Sequence, residues 1–89
     1  MRIPKKIKVG GHIYKILLVD RNSFDENGIG EYLVEKNIIK ISKDLPQNQR
    51  ELTFFHEVLH ALNNQLEEKD VEFLAQGIYQ VLSDNKMLN

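Results

Sequence analysis

The chain has 89 residues, with 12 Lys and Arg against 13 Asp and Glu, a formal net charge of -1 and no cysteine. The missing cysteine excludes a disulfide framework, a thiolate metal site and a cysteine nucleophile, and the balanced charge removes the general electrostatic case for nucleic-acid binding. So short a chain is expected to form one domain over residues 1–89, with a core small enough to gain from a metal or a partner. With no long apolar run and no signal-peptide core it reads as cytoplasmic, without a membrane partner.

In chain order, residues 7–9 and 12–19 read as two strands joined at Gly10-Gly11, a hairpin turn. The run 16–19 is continuously apolar and predicts a segment buried on both faces. Residues 20–30 are polar, with Asn27-Gly28 and Gly30 as breakers, and predict a loop. Asp20, Asn22 and Glu31 have the spacing of part of a calcium loop. Phe24 and Asp25 stand at its ligand and glycine positions, however, and the flanks read as strands, so calcium is not expected. A second hairpin follows over 29–35 and 38–42, turning at Lys36-Asn37, with Tyr32, Val34, Ile39 and Ile41 at a period of two. The basic stretch of Arg2, Lys5, Lys6 and Lys8 reads as a solvated terminus.

Asp44-Leu45-Pro46 predicts a helix start, with the acid as cap and proline in the first turn. Leu52, Phe55, Leu59, Leu62 and Leu66 then make one apolar stripe, and Phe54, Val58 and Ala61 a second side, so this helix is expected in the middle of the domain. After a break near 66–69, a last helix carries Val71, Leu74, Ala75, Ile78 and Leu82 and ends at Ser83-Asp84-Asn85. These elements predict an α+β fold: a mostly antiparallel sheet of about four strands, then two helices packed across one face.

The first helix contains His56-Glu57-Val58-Leu59-His60. Histidines at i and i+4 stand on one helix face, so both imidazoles reach one ion, and the intervening glutamate projects near the water such an ion holds. Both histidines border the apolar stripe, where an unligated imidazole loses hydration without a clear partner. A third protein ligand is sought on the last helix. Glu72, inside it and beside small Ala75, ranks first, ahead of Glu68 at the helix start and Asp70 on the opposite flank. Tyr79, on the same line as Glu72, is a candidate oxyanion donor, although a packed ring is the commoner role. His12 reads as an ordinary strand residue.

The stretch Leu52-Thr53-Phe54-Phe55-His56-Glu57-Val58-Leu59-His60-Ala61-Leu62, followed by Val71-Glu72-Phe73-Leu74-Ala75 and Ile78-Tyr79-Gln80-Val81-Leu82, resembles the small zincin-type metallopeptidase-like proteins of phages and prophages, similar to the ImmA/IrrE peptidase domain. Gly11-His12-Ile13-Tyr14-Lys15-Ile16 and Gly30-Glu31-Tyr32-Leu33 share in the resemblance. It implies zinc ligands His56 and His60, general base Glu57 and a glutamate third ligand on the following helix. The activity expected is hydrolysis of a peptide bond in a protein target, such as a transcriptional regulator or host factor, by zinc-activated water. The alternative is a zinc-stabilised, non-catalytic binding or regulatory module of phage origin, since so short a chain leaves little wall for a cleft. A metal-free αβ protein is the third reading.

Overall fold

The structure is a computed structural model that describes residues 1–24 and 28–88. Asp25 of the calcium-loop spacing and Asn27 of the predicted breaker lie outside the described residues. Strand β1 (Lys6–Val9) turns through Gly10, at φ +61°, into antiparallel β2 (His12–Val19). A 3-10 turn at Arg21–Ser23 leads toward β3 (Gly30–Leu33), and a second 3-10 turn, Val34–Lys36, leads to β4 (Ile38–Ser42). Asn37 closes that turn in the left-handed region at φ 52°, which asparagine tolerates better than most residues. Val34 belongs to the turn and is exposed, so the predicted period of two ends one residue earlier, at Leu33.

The sheet order is β1-β2-β4-β3, and β2 pairs with β4 in parallel, so the sheet is mixed rather than antiparallel throughout. The hairpin β3–β4 docks with β4 inward. Ile39 and Ile41 of β4 are fully buried, whereas β3 offers a glycine and a glutamate; the more apolar strand takes the centre and β3 becomes an edge. Residues 16–19 are not buried on both faces: Ile16 is buried toward α1, while Leu17, on the opposite face that no helix covers, is 38% exposed, and Leu18, on the α1 side, is 45% exposed.

Helix α1 (Gln47–Leu62) packs on that face. Its Phe54 joins Val9, Tyr14, Ile16, Ile39 and Ile41 in the core, with Val58 and Ala61 against them. Pro46 sits before the helix in the cap position and Asp44 makes no cap; the residue preceding a proline is driven extended, which moves the start to Gln47. Helix α2 (Glu68–Asp84) packs mainly on α1 rather than on the sheet, with Val71 and Ala75 buried and Asn85 capping its end as predicted. The two helices expected across one sheet face therefore lie as a stack on it, with α1 in the middle, as its two apolar sides predict. Among the described residues no helix is long and apolar enough to cross a membrane.

Candidate metal centre

The last turns of α1 and the first turn of α2 face each other because only residues 63–67 join the two helices. That short connection brings His56, His60 and Glu68 together, with a donor atom from each inside a 4.8 Å group. Glu68 Oε1 lies 2.6 Å from His56 Nε2, and Glu68 Oε2 lies 2.9 Å from His60 Nε2. With a proton on each Nε2, both rings donate to this one carboxylate; deprotonated at nitrogen, the same three groups could hold a metal ion.

The donor set fits a metal ion by geometry. The two Nε2 atoms stand 3.3 Å apart. Two nitrogens bound at about 2.0–2.1 Å in a tetrahedral arrangement stand about 3.3 Å apart. The spacing of the two ring nitrogens therefore suits one ion. The Glu68 side chain is 66% exposed while the imidazoles are 18% and 20% exposed, so the carboxylate is the member with room to withdraw slightly and admit an ion.

Glu57 points elsewhere. It is buried and lines an open cleft of about 250 Å³ whose walls include Gly30 of β3, Thr53 and His56 of α1, and Glu68 and Glu72 of α2. Among the described residues its carboxylate has no hydrogen-bond donor. Burial, then the Glu68 and Glu31 carboxylates, push its pKa up to about 8. Any cation held by the histidine pair opposes that rise and favours the carboxylate form. Gly30 is the residue that lets β3 come so close: a Cβ there would stand 2.5 Å from Thr53 Cγ2 and 2.8 Å from Glu57 Oε2. Sequence reasoning took Gly30 as a loop breaker and missed this role, although a glycine at a strand is itself a sign of close approach.

Of the three acids ranked for the third position, Glu68 meets the imidazoles. Glu72, ranked first, lies one turn further along α2, lining the cleft outside that group, and Asp70 is exposed outside it. Tyr79 donates its hydroxyl to Glu51 Oε1 at 2.8 Å and packs on Phe55 at 6.0 Å between centroids, so it acts as a strut between helices. Glu51 is buried and also accepts from Gln47 at 2.7 Å and from the Met1 ammonium at 2.8 Å. Burial opposes its ionisation, but these donors outweigh it and hold its pKa below the usual carboxylate value. His12 sits edge-on to Tyr14 on β2, outside the cleft.

No protein-family model, curated protein or solved structure matches this chain.

Proposed function

We propose that the protein is a zinc-dependent metallopeptidase of the zincin type, acting on a protein target such as a transcriptional regulator or host factor in a cytoplasmic setting. His56, His60 and Glu68 would hold the metal. When bound, zinc would supply a water acidified toward neutrality and polarise a scissile carbonyl. Glu57, on the same helix and opening on the same cleft, would take the proton from that water and pass it to the leaving amine. β3 is an edge strand whose Gly30 borders the cleft, so an extended substrate segment can pair along it while its scissile bond approaches Glu57.

The observation that carries this reading is the 3.3 Å spacing of the two imidazole nitrogens with a carboxylate from the facing helix across them. The test is cleavage of candidate regulators by zinc-loaded protein beside Glu57→Gln. Zinc retained with cleavage abolished supports the proposal; cleavage undiminished in Glu57→Gln removes it. A second reading, a zinc-stapled binding module without catalysis, is favoured by the way α2 is held: Val71 and Ala75 are its buried residues, and the histidine–carboxylate clasp joins the Tyr79–Glu51 bond in attaching it to α1. In that case Glu57→Gln preserves function, whereas His56→Ala lowers stability and function together.

A further inference from the structure

The sheet face opposite α1 carries a pattern unrelated to the metal centre. Strand register places Lys8 opposite Ile13, Lys6 opposite Lys15, Lys15 beside Ile38, Leu17 beside Lys40, Lys40 beside Glu31, and Ile38 beside Leu33, all on this face. Tyr14, Ile16, Ile39 and Ile41 point the other way, into the core with Phe54. The open face is thus an apolar centre of Ile13, Leu17, Leu33 and Ile38, framed by Lys6, Lys8, Lys15 and Lys40, with Glu31 as the one acid that the strand register places there among the described residues. Ile13 is 58% exposed and Leu17 38% exposed, and neither helix packs there.

The charge is local, since the whole chain is at -1. It also opposes stability: Lys6 and Lys15 are direct cross-strand partners, an arrangement in which like charges repel. Among the described residues none of the four lysines has an ion-pair partner. We infer that this open face is a docking surface for an acidic, amphipathic segment of a partner protein, whose apolar side chains cover Ile13, Leu17, Leu33 and Ile38 while its carboxylates meet the lysines. Charge complementarity fixes the sign of the partner and the apolar centre fixes its amphipathicity. A single-stranded nucleic acid fits less well, because the sheet's tyrosines, Tyr14 and Tyr32, lie on the α1 face and leave no ring for base stacking. The inference is independent of the metal centre.

The test uses the full ¹⁵N-labelled chain and a synthetic helical peptide of about four turns with a leucine stripe flanked by glutamates. Amide shifts are expected at Lys6, Lys8, Ile13, Lys15, Leu17 and Lys40. Affinity should weaken with added salt, and fall by about tenfold or more when the peptide's glutamates become glutamines or the protein carries Lys15→Glu. Lys15→Glu sets opposite charges across the strands from Lys6, so its Tm should hold or rise while binding falls, which separates lost docking from lost folding. If that Tm falls instead, Lys8→Glu, exposed and opposite Ile13, supplies the same readout. No binding, shifts confined to the α1 side, or undiminished binding by both variants would overturn the inference. So would an oligouridylate or a phosphatidylserine vesicle that binds in the peptide's place with the same lysine dependence, or self-association of the chain that Lys15→Glu abolishes.

Discussion

Glu68 and Glu57 are two carboxylates in contrasting surroundings. Glu68 is exposed at the start of α2 and reaches both imidazoles, whereas Glu57 is buried behind Gly30 with no donor to it among the described residues. Glu68→Ala is expected to weaken zinc binding by at least about 100-fold, since losing even an outer partner of a ligand costs about 10–100-fold. Glu72→Ala should leave affinity within a few-fold of wild type; calorimetric titration of both variants checks the assignment. For Glu57 the folded pKa, about 8, lies above the unfolded value of 4.5, so the metal-free fold holds its proton more tightly than the unfolded chain does. The contribution of Glu57 to the stability of the metal-free protein is therefore fully present below the unfolded pKa and is lost as pH rises from there through about 8. Melting in chelator across that range should show the decline in wild type and little of it in Glu57→Gln.

Between elements, the approach of β3 to α1 rests on a missing side chain. Gly30→Ala would press a methyl against Thr53 and Glu57, and is expected to cost about 1–3 kcal/mol in denaturant melts, with partial recovery on adding Thr53→Ser. Tyr79→Phe removes a donor from buried Glu51 and should cost about 1–2 kcal/mol. The histidine pair was legible in the sequence because i, i+4 placement needs only a helix. The hairpin at Gly10 and the end of α2 at Asn85 were legible for the same local reason. The identity of the facing carboxylate was less so: intrinsic ranking favoured Glu72, within a helix, over Glu68, at its start. The deciding fact is the length of the 63–67 connection, which sets the end of α1 against the start of α2. Strand order was not legible at all, because it depends on which strand of the second hairpin the rest of the core draws inward.

Across the whole molecule, α2 is attached through α1, and the clasp of His56, His60 and Glu68 closes the open end of that helix pair. A ligand that binds only the folded state stabilises it by about 4 kcal/mol when present at about 1,000 times its dissociation constant. Zinc should therefore raise Tm by well over ten degrees in a domain of this size, at about 4–8 degrees per kcal/mol. Chelator should reverse the rise, and loss of α2 helicity should lead the melt. The sheet side of the molecule should be indifferent to zinc, since its core of Val9, Tyr14, Ile16, Ile39 and Ile41 is closed by Phe54, Val58 and Ala61 of α1.

The most direct measurement is zinc titration of the metal-free protein, with Glu57→Gln and Glu68→Ala alongside. The account predicts about one zinc per chain in wild type, the same in Glu57→Gln, and a sharply weakened site in Glu68→Ala. Wild-type protein that binds no zinc, or Glu68→Ala binding it as tightly as wild type, would contradict the metal centre and the hydrolytic reading built on it.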